Sequence, residues 1–226
     1  MEIFKEIGGF AAVVFDMDGT LLDTEPLSKE FWQQGAQAHG FTITPEIFMN
    51  MVGRNHDSIR DFLTLSMGEG FDFVKVETVR EELGEKYYAE NPVPLKEGVA
   101  ELFAALDKVP YIKKAVATSS GKARAESRLS KAGLWEKFDA GAFGDFVTNS
   151  KPHPEVFLLA AKNLGVEPTE CVALEDSPLG IASAHAAGMK TILIPDILPP
   201  PNGYESMVYA KCESMLDVIG LLGLGL

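Results

Sequence analysis

Two carboxylates stand two residues apart at the point where an apolar run near the start of the chain ends. The run covers residues 11–15 and has the length and composition of a buried strand, and Asp16 and Asp18 follow it. Side chains at i and i+2 of an extended chain share a face, so both acids would point the same way. Like charges held that close are unfavourable unless a cation or a shared proton offsets them. The pattern indicates a hard metal ion such as Mg²⁺, although Asp-x-Asp-Gly is also an ordinary polar turn.

Four short apolar runs have the length of buried strands. They cover residues 11–15, 113–117, 171–174 and 191–194. Turns and helical patterns alternate with these runs, which favours parallel strands joined by crossover helices. In such sheets ligands bind beyond the carboxyl ends of the strands, where Asp16, Thr118 and the pair Glu175-Asp176 lie. The sequence therefore predicts that these side chains form one site.

The segment after the first strand differs from the rest because helical periods run through it without a strand pattern. Its predicted helices cover residues 25–39, 57–67 and 73–90, with a further helix start at Thr44-Pro45-Glu46. The predicted fold class is therefore α/β, with a doubly wound, mostly parallel sheet and an additional helical part.

We interpret the helical part, residues 25–94, as an α-helical cap domain inserted into a core domain. The core domain would comprise residues 1–24 and 95–226, with hinges near 24–25 and 91–94. The alternative is that these helices simply pack on the sheet.

The charge balance limits the partners that the protein can take. With 33 acidic and 20 basic residues, the formal charge is −13, so we expect neither nucleic acid nor a membrane as a partner. Cys171 and Cys212 have no metal-type spacing, and no signal peptide or membrane span is recognisable. We expect a soluble, cytoplasmic monomer.

Four separated segments occur in a distinctive order and spacing. They are Asp16-Met17-Asp18-Gly19-Thr20, Thr118, Ser150-Lys151-Pro152 and Glu175-Asp176-Ser177. Each is weak alone, but together they resemble the four signature motifs of the haloacid dehalogenase-like (HAD) hydrolases. The resemblance covers nearly the whole chain. It implies a Rossmann-like core and the helical-cap subgroup that includes β-phosphoglucomutase and small sugar-phosphate phosphatases.

The resemblance implies a role for each catalytic residue. Asp16 would be the nucleophile that forms an aspartyl-phosphate. Asp18 would be the general acid and then the general base, with its pKa raised by the adjacent charge of Asp16. Thr118 would donate its hydroxyl to a phosphoryl oxygen and also cap the following helix, and Lys151 would place an ammonium against Asp16. The alternatives are a helix cap alone for Thr118 and an exposed surface lysine for Lys151.

The resemblance also implies a Mg²⁺ site. Asp176 would hold the ion together with the Asp16 carboxylate and the backbone carbonyl of Asp18. Glu175 would add a direct or water-mediated contact. The alternative is that the segment from Glu175 merely caps the helix that follows it.

Seven further residues are candidates for substrate binding. They follow Asp18, follow Thr118 or form a loop of the cap: Gly19, Thr20, Ser119, Ser120, Gly53, Arg54 and Asn55. Arg54 could pair with a carboxylate or a second phosphate, or lie exposed at a helix start.

These predictions favour a Mg²⁺-dependent phosphatase, a phosphoric monoester hydrolase acting on a small phosphorylated metabolite such as a sugar phosphate. β-Phosphoglucomutase has a cap histidine where this chain has Ser28, and this difference favours hydrolysis over phosphate transfer between sugar positions. The alternatives are a hexose-phosphate mutase and a catalytically idle binding module. An idle module has no physical need for clustered acids that cost stability.

Overall fold

The computed structural model describes residues 9–200 and 202–225. Within them six strands form one sheet: β1 (Ala12–Phe15), β2 (Lys113–Ala117), β3 (Ala140–Ala142), β4 (Cys171–Glu175), β5 (Lys190–Leu193) and β6 (Ala210–Lys211). Their spatial order is β3-β2-β1-β4-β5-β6, and every neighbouring pair is parallel. The chain thus fills one side of the sheet first and then the other, and the order reverses between β1 and β4. The predicted doubly wound α/β fold is confirmed.

Both faces of the sheet are covered by helices. Those of the core are α5 (Val99–Leu106), α6 (Lys122–Lys131), α7 (Glu155–Leu164), α8 (Pro178–Ala186) and α9 (Met215–Leu221). Alternate residues of β1 enter two different apolar clusters: Val13 and Phe15 join the cluster of α5, α6 and α9, and Ala12 and Val14 join that of α7 and α8. This alternation follows from the two-residue period of a strand. In the described part of the chain, no helix is long and apolar enough to cross a membrane.

The remaining helices lie in the segment predicted to be helical. They are α1 (Glu25–Gln37), α2 (Pro45–Met49), α3 (His56–Met67) and α4 (Phe73–Glu90). Thr44 caps α2 by accepting a hydrogen bond from the Ile47 backbone N–H, as its sequence pattern predicts. These helices form an apolar cluster that includes Trp32, Leu63 and Phe73, whereas Phe31 of α1 and Tyr88 of α4 join the cluster on the sheet.

The chain leaves and re-enters the core at one place. Leu22 and Leu95 form an antiparallel bridge, and the Asp23 N–H donates to the Pro94 carbonyl oxygen at 2.9 Å. Two adjacent crossings of this kind are what an inserted domain needs. The paired crossings support the division into core and cap, which stays a prediction.

Candidate active site

The predicted nucleophile and the predicted lysine lie in contact. Asp16 follows β1, and the Lys151 Nζ donates to its Oδ1 at 2.5 Å. The same ammonium donates to Glu175 Oε1 at 2.7 Å and to the Ala117 carbonyl oxygen at 3.3 Å. Lys151 is only 6% exposed, so it is not a surface lysine. Three strand ends and the loop before α7 thus converge on one buried ammonium.

Negative charge exceeds positive charge around this ammonium. Burial raises the pKa of Asp16, as do the carboxylates of Glu175 and Asp18, whereas Lys151 lowers it. Burial alone would lower the pKa of Lys151, but its two carboxylate partners raise it above the ordinary value. The lysine is therefore charged at neutral pH, and a single ammonium faces more than one carboxylate.

Asp176 lies against the turn that follows Asp16. Thr20 donates from its hydroxyl to Asp176 Oδ1 at 2.7 Å, and Thr20 itself is fully buried. Gly19 has φ +88°, and a Cβ there would come within 2.6 Å of Asp176 Oδ2, so only glycine fits. Neither Gly19 nor Thr20 lines the cavity. Thr20 orients the Asp176 carboxylate and Gly19 makes room for it, and the prediction that both residues bind substrate stays a prediction.

Both carboxylate oxygens of Glu175 accept hydrogen bonds from neighbouring residues. Its Oε1 accepts from Lys151, and its Oε2 accepts from the Ser177 N–H at 2.8 Å and from the Ser177 hydroxyl at 3.0 Å. The side chain is completely buried under α8, where a Cβ at Gly180 would overlap its carboxylate. Glu175 therefore anchors Lys151, and its contact with the metal, direct or through water, stays a prediction.

Asp16 and Asp176 are buried acids whose mutual repulsion a divalent cation would offset. Burial and the neighbouring charges of Glu175 and Asp16 raise the pKa of Asp176 well above its usual range. Buried carboxylates that repel each other are stabilised by a cation. Among the residues that the structure describes, no three His, Cys, Asp or Glu side chains form a metal-binding group. The Mg²⁺ site predicted at the carboxylates of Asp16 and Asp176 and the backbone carbonyl of Asp18 therefore stays a prediction.

Asp18 is held by an arginine that sequence reasoning missed. Arg128 Nη1 lies 2.8 Å from Asp18 Oδ1, which also accepts from the Thr24 hydroxyl at 3.0 Å. Burial raises the pKa of Asp18, but Arg128, Arg124 and the hydrogen bonds from Thr24 and Ser120 together bring it below the ordinary value. The predicted direction was therefore wrong: in this conformation Asp18 is ionised.

Thr118 lies at the carboxyl end of β2 but does not cap a helix. Its Oγ1 accepts from the Ser120 N–H at 3.0 Å, whereas α6 begins at Lys122 after the N-cap residue Gly121. The capping prediction is wrong because the chain makes a turn first. Thr118 is 2% exposed, and its hydroxyl proton has no acceptor among the described residues. Ser119 also lines the cavity, and the Ser120 hydroxyl donates to Asp18 Oδ2 at 3.2 Å.

The predicted cap loop lies against residues around the active site. A Cβ at Gly53, which has φ +76°, would lie 3.2 Å from the Ser177 Cβ. Asn55 caps α3 and donates to the Ser150 hydroxyl at 2.9 Å. Arg54 is exposed, and its guanidinium lies 5.2 Å from the centroid of the Phe62 ring. All three loop residues line the cavity, which is about 470 Å³ in volume.

The cavity has further charged walls that sequence reasoning did not assign. They include Glu25, His56, Glu77, Arg80, Arg124 and Arg128. These residues belong to no motif, and only tertiary packing brings them together. The spacing of Arg124 and Arg128 was the one usable signal, because residues i and i+4 share a helix face.

The fold and the site together define an α/β enzyme whose polar residues meet at the carboxyl edge of the sheet, beside the strand-order reversal. The family model for haloacid dehalogenase-like hydrolases matches residues 10–188. The chain therefore belongs to the haloacid dehalogenase-like hydrolases, and the predicted family is confirmed.

Named relatives agree with this placement. The chain is 34% identical over 188 residues to the fructose-1-phosphate phosphatase YqaB of Escherichia coli, covering 81% of this chain and 95% of that protein. It is 35% identical over 185 residues to a phosphorylated carbohydrates phosphatase of Thermotoga maritima, covering 80% and 83%. The solved structure of CbbY from Rhodobacter sphaeroides in complex with phosphate aligns with a TM-score of 0.82 at 25% identity, covering 95% of this chain and all of that one. The predicted enzyme class, phosphoric monoester hydrolase, is confirmed.

Proposed function

We propose that this protein is a Mg²⁺-dependent phosphatase that hydrolyses a small sugar phosphate through an aspartyl-phosphate on Asp16. One observation carries the proposal: residues from all four motifs line a single cavity, namely Asp16, Asp18, Thr118, Lys151 and Asp176. The names of the relatives, which act on fructose 1-phosphate and on phosphorylated carbohydrates, support the substrate class.

Asp16 is the group best placed to attack phosphorus. It lies at the strand-order reversal, and Lys151 holds one of its oxygens, so the second oxygen is available to the phosphoryl group. The attack forms an acyl phosphate on Asp16 and releases the sugar alkoxide, which takes up a proton. The ammonium of Lys151 and the free hydroxyl proton of Thr118 are positioned to stabilise charge on the phosphoryl oxygens.

Asp18 is the candidate for the proton transfers. The leaving alkoxide needs a proton in the first step, and water must lose one in the second. In the conformation described, Arg128 and Thr24 hold Asp18 as the ionised carboxylate. Asp18 therefore acts as the base in this arrangement, and it must separate from Arg128 before it can carry a proton to the leaving group.

The proposed function also needs a site for Mg²⁺. The carboxylates of Asp16 and Asp176 and the backbone carbonyl of Asp18 would hold it, with Thr20 orienting Asp176. When bound, Mg²⁺ would neutralise charge on the phosphoryl group and on the carboxylates around it. This contribution allows an anionic substrate to approach a protein of net charge −13.

The proposal is tested by p-nitrophenyl phosphate hydrolysis with and without Mg²⁺. We expect turnover by the native protein, loss of turnover in EDTA with recovery on adding Mg²⁺, and no turnover by Asp16→Asn. We expect Asp18→Asn to lose about 10²–10⁴ in rate with a sugar phosphate. Full activity in chelator would refute the metal assignment, and undiminished turnover by Asp16→Asn would refute the nucleophile.

A mutase differs from a phosphatase in its products. Ser28, which lines the cavity, offers no imidazole for proton transfer where the mutase has its cap histidine. We therefore expect inorganic phosphate from a hexose 1-phosphate. Conversion to the 6-phosphate without phosphate release would instead establish the mutase.

A further inference from the structure

Three arginines from two helices, one in the segment 25–94 and one in the core, line the cavity. Arg80 comes from α4, and Arg124 and Arg128 come from α6. Arg124 and Arg128 are four residues apart and therefore share one face of their helix. Like charges gathered in this way repel each other, so the cluster needs an explanation.

Two of these guanidinium groups have a buried N–H donor without a hydrogen-bond acceptor in the described part of the chain. The Nε atoms of Arg80 and Arg124 are buried and have no partner within the described residues. Arg80 is only 7% exposed, and its guanidinium lies 4.8 Å from the Trp32 ring centroid. Native proteins rarely leave a buried charged donor unpaired, because this costs the desolvation energy of the group.

The nearby acids do not balance the cluster. Arg128 pairs with Asp18, and the acid nearest to Arg80 is Glu81, at 3.7 Å and largely exposed. Across residues 9–200 and 202–225, no carboxylate lies within 4.0 Å of a nitrogen of Arg124.

The other acids in the cavity wall also do not neutralise the positive charge of Arg124. Glu77 is held by His56, with 2.9 Å between His56 Nε2 and Glu77 Oε1. Burial raises the pKa of Glu25 to about 7, so its charge is partial near neutral pH. Burial, followed by the charges of Arg128 and Arg80, lowers the pKa of Arg124 to about 9.

We infer that Arg80, Arg124 and Arg128 form an anion subsite that takes a second anionic group of the substrate. The inference rests on the proposed function, and it narrows the substrate to a phosphorylated sugar that also carries a carboxylate or a second phosphate. Planar guanidinium groups bind both kinds of oxyanion through paired hydrogen bonds. The subsite differs from the sequence-based candidate Arg54, which is exposed and stacks on Phe62.

The position of the subsite would let it select among substrates. It opens into the same cavity of about 470 Å³ as Asp16, a volume typical of small-molecule sites. A substrate with its phosphoryl group at Asp16 would direct its other end toward the arginines. Because α4 and α6 both contribute arginines, the second anion would also connect α4, in the segment 25–94, with the core helix α6.

The test compares matched substrates that differ in the second anion. The pairs are 6-phosphogluconate against glucose 6-phosphate, and fructose 1,6-bisphosphate against fructose 6-phosphate. In at least one pair, we expect kcat/KM to be about tenfold or more higher for the compound with two anionic groups than for its partner. One or two charge-assisted hydrogen bonds give an effect of this size. Arg124→Gln should reduce this ratio to near one. Arg124 is chosen because Arg128 also contacts Asp18.

A charge-matched control comes from the same helix. Lys131 is exposed on α6 and outside the cavity, so Lys131→Gln should keep the native ratio. A ratio near one in the native protein, with both monophosphates turned over, would overturn the subsite and leave the phosphatase proposal intact. An unchanged ratio in Arg124→Gln would also overturn it.

A binding measurement separates the two proposals. Calorimetric titration of Asp16→Asn with the same four compounds needs no turnover. Tighter binding of a doubly anionic compound, abolished by Arg124→Gln, would support the subsite. If no phosphate ester were hydrolysed, only the phosphatase proposal would be refuted. Equal binding within each pair would overturn the subsite.

Discussion

Replacing Glu25 by glutamine should raise the free energy of unfolding at neutral pH and leave it unchanged near pH 4.5. Glu25 is the first residue of α1 and lies in the cavity wall, partly buried. Burial, followed by the charges of Asp18 and Asp196, raises its pKa from 4.5 to about 7. Between these values the unfolded chain loses the proton while the folded protein keeps it, so the native carboxyl destabilises the fold progressively as pH rises.

The size of the effect follows from the two pKa values. Each tenfold difference in acid dissociation corresponds to about 1.4 kcal/mol, so a pKa raised from 4.5 to about 7 gives a full penalty of at most about 3–4 kcal/mol above pH 7. Glu25→Gln removes this penalty. The free energy of unfolding of the variant should therefore match that of the native protein near pH 4.5 and exceed it increasingly up to pH 8.

The assay is urea denaturation of both proteins from pH 4.5 to pH 8, in EDTA so that no divalent cation contributes. Glu30→Gln, an exposed change on the same helix, should differ from the native protein by no more than about 0.5 kcal/mol. A stability difference between Glu25→Gln and the native protein that stays constant with pH would refute the reasoning.

Three further substitutions test the residues that support the site. Lys151→Ala leaves Asp16 and Glu175 without their shared cation, so we expect about 3–5 kcal/mol of lost stability together with loss of turnover; an unchanged thermal midpoint would contradict the buried ion pairs. Asn55→Ala removes both the α3 cap and the bond to Ser150, whereas Ser150→Ala removes only the bond. The first should cost about 1 kcal/mol more in urea denaturation, and equal losses would contradict the capping role.

The parts of the fold that follow from local patterns could be predicted from the sequence. The strand 113–117 was predicted with the bounds that β2 shows, and the helix 73–90 agrees with α4. β3 was missed because Ala140–Ala142 is Ala-Gly-Ala, which carries too little apolar bulk to signal a strand. β6 was missed because two residues form no periodic pattern.

The candidate site divides in the same way. Asp16 and Lys151 belong to motifs, so their approach could be expected from the family resemblance. The partners of Glu175 and Thr20 could not, because side-chain direction at a strand end depends on how the following turn folds. The low pKa of Asp18 was missed for a related reason: Arg128 reaches it from a helix more than a hundred residues later in the chain. Long-range pairing of this kind has no local signal.

The central claim is that Asp16 carries a covalent phosphoryl group, and one measurement tests it most directly. p-Nitrophenolate leaves without a general acid, whereas hydrolysis of the acyl phosphate needs a base, so Asp18→Asn should accumulate the intermediate. Rapid mixing of Asp18→Asn with p-nitrophenyl phosphate and Mg²⁺ should give a burst of one p-nitrophenol per protein. Borohydride reduction should then convert Asp16 to homoserine, which peptide mass spectrometry detects. The absence of a burst, or modification of a residue other than Asp16, would contradict the account.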